Sequence, residues 1–521
     1  MFLQPQISWQ RTFLVLAIFL IQACHRVHPP RHQLVPVSEN LDEAERDNIS
    51  QLLEFDSSGA IMLDSARIFR PRAIRDFYHK RKDQPFWSRA GRIIPAGDTM
   101  LSLVAGAWQK GLDPASLFQR QLEDLIPPGS RKTSRDAAVW ARTDLLLTAA
   151  FTKMVSQLHY GILEADSLRL RKDTAFSNLS LDSLILRADQ ADSLSALVAS
   201  VEPKYAQYAL LKAALVRFTL AHGKSGWNSF SVDSLAPDAL RQQLALRLLR
   251  EGYLDSTKTG DQEAVTRALK RFQNDHGLFP DGKPGKRTLA ALKVTSRQRL
   301  EQIRVNLDRW RHFPDFLPNP YLLVNIPAFQ LEIWDRDSLM LESRVIVGKP
   351  QTPTPELSSS IVNFQLYPFW RLPMSIIVKD VFPALKRNMN YLTRNNLEVV
   401  DHHGDVVDPA KLNWKRFNKD YFPYVLRQMN GLDNSLGIIK FNFRNKYAVY
   451  LHDTNLRSLF GAEYRALSHG CVRVQKWDSL SRYLVRDDTL RHIPDSLVVW
   501  EKMQLQKEVN FSRRLPIYIR Y

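Results

Sequence analysis

The sequence predicts a multidomain α+β chain: a mainly helical block, a small helical domain, and a β-rich domain carrying an insertion. Three observations predict it. At 521 residues the chain is longer than one hydrophobic core usually serves. From about Asp64 to Arg250 apolar residues recur three and four apart, as in "RTDLLLTAAFTKMVSQLHYGIL" (Arg142 to Leu163), which is a helical period. After the Arg- and Trp-rich helix "RLEQIRVNLDRWRHF" the period changes to two. Apolar residues make up 44% of the chain, enough to build several cores and too many for general disorder.

The N-terminus reads as an export signal. Arg11 precedes the apolar run "TFLVLAIFLIQA" (Thr12 to Ala23), which has the length of a signal-peptide core and is short for a membrane span. The run ends at Cys24, and Ile21-Gln22-Ala23-Cys24 resembles a bacterial lipobox, in which cleavage leaves a lipidated cysteine; Gln22 departs from the usual small residue. An ordinary signal peptide or an uncleaved anchor stays open. Residues 1–23 are therefore expected to be a signal peptide and 24–60 a flexible tether. About 35 residues of coil span roughly 30–35 Å on average and at most about 120 Å.

Residues 61–245 read as a helical scaffold. His79, His159 and His222 are scattered through it at no catalytic spacing. In 246–296, Val265, Leu269 and Phe272 share a helical face, Gly277 supplies a C-cap, and Asp281-Gly282 makes a turn before a helix at Thr288. From 297 to 500, "YLLVNIPAFQLEIW", "ESRVIVGK", "IVNFQLYPFW", "LGIIKFNF" and "YAVYLHD" read as strands, interrupted by a partly helical insertion at about 375–430. Residues 501–521 are expected to be a tail.

Chemistry concentrates in "LHDTNLRSLFGAEYRALSHGCVRV" (Leu451 to Val474). If Cys24 carries lipid, Cys471 has no intramolecular partner, and a lone thiol in an exported protein is a liability unless it is used. His452 ends a strand, and the residues after it can return Cys471 beside it, with Gly470 permitting a sharp turn. An imidazole that takes the thiol's proton makes it a nucleophile. His452 is favoured as base over His469, which stands two residues from the cysteine. Arg473 adds positive charge able to hold a carboxylate and favour the thiolate. One Cys and two His could bind zinc, but an HExxH-type set is absent, so no metal is expected. A buried, inert cysteine is the remaining alternative.

The same stretch resembles the active-site signature of the L,D-transpeptidases, H-x…[ST]-[HS]-G-C-[VI]-R, the YkuD-like catalytic domain. "YLLVNIPAFQLEIW", "RVIVGKPQTPTPELSSSI", "YPFWRLPMSI" and "NSLGIIKFNFRNKYAVYLHDT" resemble its large YcbB-type branch, and "FYHKRKDQPFW" and "GLDP" resemble that branch's scaffold region. "FQNDHGL", "DGKPG" and "TLAAL" resemble a peptidoglycan-binding domain.

The resemblance implies a reaction in cell-wall biogenesis. Cys471 attacks the carbonyl after the third residue of a peptidoglycan tetrapeptide stem and expels D-alanine, and a second stem's amine captures the thioester as a 3–3 cross-link. His452 is implied as base, with the Asp453 carbonyl orienting it. Ser468, His469 and Gly470 shape the pocket, the N–H groups near Gly470 and Cys471 form the oxyanion hole, and Arg473 engages the donor stem. Trp370 and Tyr450 are implied as walls beneath the insertion, which acts as a substrate cap; as aromatics they could equally be core.

No cofactor is implied, and carbapenem-type inhibitors are expected to acylate Cys471. Resolution by water (an L,D-carboxypeptidase) or by a protein lysine stays open, as does a noncatalytic wall-binding lipoprotein. The excess of 72 Lys+Arg over 54 Asp+Glu suits an anionic polymer, and nucleic acid is not expected because the basic residues are dispersed without a binding signature. The expected location is the periplasmic face of the envelope, lipid-anchored to the outer membrane.

Overall fold

The computed structural model describes residues 40–54, 59–63, 66–129, 134–163, 183–184, 194–223, 226–228, 230, 237–314, 316–336, 338–487 and 494–521. Cys24 and the signal segment lie outside them. The α+β multidomain expectation holds. The described residues divide into two compact units, one built from those within 40–163, 183–216 and 303–312, the other from those within 217–302 and 313–521. Among the described residues no helix is long and apolar enough to cross a membrane.

The first unit is helical. Its axis is α4 (Ala137–Tyr160), packed with α1 (Leu41–Leu52), α2 (Pro71–Lys80), α3 (Pro95–Ala105) and α5 (Leu194–Ser200); α6 (Ala206–His222) follows α5 along the chain. Asp136 caps α4 by accepting the Ala138 N–H at 2.8 Å. Leu145, Leu146, Ala149, Ala150, Phe151, Met154 and Leu158 of α4 are all buried, so this helix is apolar nearly all round. The tether expected over 24–60 is cut short here. Residues 41–52 are helical, and Glu45, Ile49 and Leu53 are buried, a spacing of four that the acidic composition of the segment obscured.

Asp144 of α4 ties this unit together. Its carboxylate accepts the N–H groups of Phe86 (3.0 Å) and Trp87 (2.6 Å) and the Tyr78 hydroxyl (2.6 Å). Ser88 Oγ bridges from it, at 3.3 Å, to Glu45, at 2.5 Å. The aromatic motif that the sequence singles out thus supplies hydrogen bonds and ring packing to a buried acid. Burial, with Asp144 nearby, pushes the Glu45 carboxyl up to about 8.

The second unit opens with α7 (Pro237–Arg250), α8 (Gln262–Asp275) and α9 (Lys286–Lys293). Leu244, Leu248, Val265, Ala268, Leu269, Phe272 and Leu292 form their core. A boundary at 246 therefore divides a helix whose two halves pack into one core. The buried Gln273 amide organises the turn after α8, donating to Asp281 Oδ1 (2.9 Å) and the Lys283 carbonyl (2.9 Å) while accepting from the Gly282 N–H (2.8 Å). Gly282 has φ +75°, and a Cβ there would fall 2.8 Å from Thr266, so the turn requires glycine. This helical domain meets the β domain at Glu463, which accepts from the Phe279 N–H and pairs with Arg287 at 3.1 Å.

The β domain is a curved sheet of nine strands: β1 (Tyr321–Asn325), β2 (Gln330–Asp335), β3 (Ser338–Gly348), β4 (Leu357–Leu366), β5 (Ile439–Phe443), β6 (Leu451–His452), β7 (Ala466–Ser468), β8 (Val472–Val474) and β9 (Lys507–Arg520). Their order is β7-β3-β8-β6-β5-β4-β9-β1-β2, and β2 also pairs with β3, closing a barrel. Val324, Ile333, Val345, Phe364, Phe441, Leu451, Val472 and Ile517 fill it.

The expected C-terminal tail is instead β9. It lies between β4 and β1, with Val509, Leu515, Ile517 and Ile519 buried at period two. Between β4 and β5 the chain leaves the barrel. It builds a four-stranded sheet from residues 370–371, 397–400, 406–407 and 425–428 with a helical segment at 374–387, on its own core of Leu372, Ile377, Val381, Leu385, Val399 and Leu426.

A carboxyl raised from 4.5 to about 8 holds in the folded state a proton that the unfolded chain sheds. Its contribution is complete below about pH 4.5 and is lost as pH rises through about 8. Glu45→Gln, which keeps the Ser88 bond without titrating, is expected to raise the melting temperature at pH 8 by several degrees. Calorimetry across this range should show a flatter profile than the parent; an unchanged profile removes Glu45 as the titrating group.

Candidate active site

Strand register assembles the site. β6 and β8 run parallel, with Leu451 opposite Val472 and His452 opposite Arg473. On the other flank of β6, Lys440 of the antiparallel β5 stands opposite His452. Side chains alternate across a sheet, so Phe441, Leu451 and Val472 enter the barrel core, where each is 0% exposed. Lys440, His452 and Arg473 therefore form a row on the opposite face. Tyr450 and Cys471, each two residues earlier on its strand, extend the row.

The long connection between β6 and β8 is pinned at its start. The fully buried Asp453 carboxylate accepts the Ile438 N–H (3.0 Å) and pairs with Arg457 (2.6 Å). Gly437, at φ +62°, would place a Cβ 2.3 Å from that carboxylate, so only glycine fits. Its end is pinned through Ser468, whose Oγ donates to the Cys471 carbonyl (2.6 Å) and accepts the Gly470 N–H (3.1 Å). The Gly470 N–H is therefore already engaged, which takes it out of the expected oxyanion hole. Gly470 has φ +123°, a conformation that L side chains rarely adopt. Thr354 holds the turn from outside, donating to the Gly470 carbonyl (2.8 Å) and accepting the Gly348 N–H (2.8 Å).

Cys471 is a free, half-buried cysteine. Its thiol lies deep enough that burial pushes its pKa up. The backbone and hydroxyl of Tyr450 and the charges of Lys440 and Arg473 oppose that rise. The Tyr450 hydroxyl hydrogen-bonds the thiol and accepts from Trp370 Nε1 at 3.1 Å. Lys440 Nζ sits 4.4 Å from the centre of the Tyr450 ring, and burial lowers its pKa.

His452 is 4% exposed, and burial followed by the charge of Arg473 lowers its pKa to about 3. The carbonyls of Asp453 and Leu436 face the imidazole and favour its protonated form, although Nδ1 makes no well-aligned hydrogen bond. Burial thus disfavours charge on both the thiol and the imidazole.

His469 takes a different position. It is over a third exposed, and its Nε2 lies 3.5 Å from Asp380 of the insertion. The structure thus brings Cys471, His452, Arg473, Tyr450 and Trp370 together, with Ser468, Gly470 and Asp453 as their backbone supports. Sequence reading missed Lys440 and Thr354. Lys440 carried a signal, being the one charge inside the apolar strand "LGIIKFNF". Among the described residues no cluster of three or more His, Cys, Asp or Glu is placed to hold a metal ion.

Residues 319–489, which hold the whole row, match the model of the L,D-transpeptidase catalytic domain, YkuD. Over these residues the chain is similar to L,D-transpeptidase catalytic domains. Residues 72–215 match a scaffold domain and 237–292 a "Putative peptidoglycan binding domain". A Haemophilus influenzae protein named "Putative L,D-transpeptidase" is 41% identical over 187 residues, 36% of this chain. That match spans 37% of the relative, so the chain covers about a third of that protein's length.

Among solved structures, an L,D-transpeptidase from Mycobacterium smegmatis is 14% identical, covering 39% of this chain and 59% of that one, with a TM-score of 0.19. One from Stackebrandtia nassauensis is 13% identical, covering 57% and 97%, with a TM-score of 0.22. Overlaps this slight carry no inference about activity.

The transpeptidase domain's electrostatics are testable without substrate. Lys440 and the Tyr450 hydroxyl both lower the thiol's pKa, so Lys440→Met and Tyr450→Phe should each leave less thiolate at a given pH. Alkylation of Cys471 by iodoacetamide at pH 8 is expected to slow by up to about tenfold, one pKa unit, in each variant. Equal rates in parent and variants would show that neither group acts on the sulfur.

Proposed function

We propose that this protein is a cysteine-dependent L,D-transpeptidase that forms 3–3 cross-links in peptidoglycan. One observation carries the reading: Tyr450, His452, Cys471, Arg473 and Lys440 share one face of three adjacent strands inside a matched L,D-transpeptidase catalytic domain. Cys471 Sγ attacks the carbonyl between the third stem residue and D-alanine. As the carbon–sulfur bond forms, His452 takes the thiol proton. Negative charge growing on sulfur and oxygen beside the imidazole offsets the burial that keeps it neutral at rest.

The Cys471 N–H is the backbone donor for the oxyanion, since Ser468 occupies its neighbour. The imidazolium then returns its proton to the departing D-alanine amine, leaving a thioester. A stem amine attacks that thioester, the new amide forms, and the thiol is regenerated with its proton. Arg473 and Lys440 supply charge for stem carboxylates. Trp370, bonded to Tyr450, links the insertion to the nucleophile and helps to keep water from the thioester.

A purified tetrapeptide stem should release D-alanine and leave a thioester on the Cys471 peptide, and a carbapenem should add mass at the same residue. Cys471→Ala is expected to abolish all three signals, and His452→Gln to lower turnover by at least about a hundredfold. His469→Ser should cost far less, because that ring faces Asp380. D-alanine release that survives in Cys471→Ala, or a His469 variant that falls as far as the His452 variant, overturns the assignment.

The reading places the chain in the cell envelope, held by lipid on Cys24. The residues after Cys24 run "HRVHPP", and a second residue other than Asp points to the outer membrane. Two or more acyl chains give stable anchoring where one does not. Fractionation is expected to find the native chain in the outer membrane and Cys24→Ala in the soluble periplasm. A soluble native chain would end the anchoring proposal and leave the catalytic one standing.

A further inference from the structure

The insertion carries a cavity that the catalytic chemistry leaves unused. It measures about 510 Å³, within the range of small-ligand sites. Phe382, Trp414 and Phe417 line it, with Lys386, Lys415 and Lys419 beside them, and no carboxylate does so. The rings form a connected cluster, with Trp414 centred 5.6 Å from Phe417 and 6.5 Å from Phe382. Trp414 Nε1 donates to the Pro409 carbonyl at 2.9 Å, so its polar edge is satisfied and the ring itself is what a ligand would meet. The three lysines are exposed; only Lys419 has an acid near it, Asp420 at 3.9 Å, and both of those side chains are more than three-quarters exposed.

The cavity shares a backbone segment with the catalytic site. Val378, Phe382 and Lys386 recur every fourth residue along 374–387 and line the cavity. Asp380, two residues from Val378 and so on the opposite side of the helical turn, points to His469 at 3.5 Å. One helix, about 10 Å across, therefore separates the cavity from the segment that carries Cys471. A stem of a few residues at roughly 3.3 Å each is long enough to pass from one side to the other.

We propose that this groove holds the saccharide–peptide portion of the peptidoglycan strand lying beyond the reacting stem, with the aromatic rings against the sugar faces and the lysines on carboxylates. The assignment rests on the function proposed above and adds a subsite to it. Aromatic faces alone would suit a neutral sugar, and lysines alone any anion. Together they select a ligand that is both a saccharide and a carboxylate bearer.

The test uses the full chain with Cys471→Ala, so that binding is read without turnover. Calorimetry is run with a soluble disaccharide-tetrapeptide, with the free tetrapeptide and with uncharged chitotetraose. The disaccharide-tetrapeptide is expected to bind at least tenfold more tightly than either of the others. Adding Lys415→Glu and Lys419→Glu should weaken the disaccharide-tetrapeptide at least tenfold and leave uncharged chitotetraose unchanged. Both lysines are exposed, and carbapenem acylation of a Cys471-bearing double variant checks that the domain is folded. The proposal is overturned if the double variant keeps the parent's dissociation constant, or if chitotetraose binds as tightly as the disaccharide-tetrapeptide. The absence of D-alanine release by the native chain would instead remove the proposed reaction, a separate reading from either binding result.

Discussion

The pairing of β6 with β8 is the constraint on which the rest of the catalytic domain depends. It is parallel and only two residue pairs long, yet it sets Tyr450 and His452 beside Cys471 and Arg473 on one face. Parallel neighbours cannot be joined by a tight hairpin, so a long connection must leave β6 and return. That connection explains the spacing of nineteen residues between His452 and Cys471. A slip of β8 by one residue would turn Cys471 and Arg473 into the barrel core and bring Val472 out to the site. The two anchors at its ends, Asp453 with Arg457 and Ser468 with Gly470, resist such a slip.

The electrostatics follow from that packing. Burial disfavours charge on both Cys471 and His452, raising the thiol and lowering the imidazole to about 3. Three residues work against this at the sulfur: Tyr450, through its backbone and its hydroxyl, Lys440 and Arg473. The site is thus a buried thiol and imidazole with positive charge and hydrogen-bond donors around them, an arrangement able to stabilise negative charge at the sulfur.

The insertion adds what the barrel lacks. Trp370, on its short sheet, reaches Tyr450, and Asp380, on its helical segment, reaches His469. Its other side presents aromatic rings and lysines to a cavity of its own. The small helical domain approaches from elsewhere, clamping Glu463 three residues before the strand that leads into Ser468.

The sequence by itself determined the fold class, the period change that begins the β domain, and the neighbourhood of Cys471. Those are local properties: residue spacing, strand alternation, and the rarity of cysteine. It misjudged three stretches. An acidic helix with few apolar positions passed for tether at 41–52, a boundary at 246 cut through α7, and a barrel strand at 507–520 passed for tail because its partners, β4 and β1, lie more than 140 residues away in sequence.

Only the tertiary structure decided which charges face the sulfur. Lys440 stands 31 residues before Cys471 and Thr354 stands 117 before it, and no local pattern reports pairing across strands. It also decided how deeply the two groups lie: burial, with Arg473 beside His452, disfavours charge on both the imidazole and the thiol, which no spacing in the sequence reports.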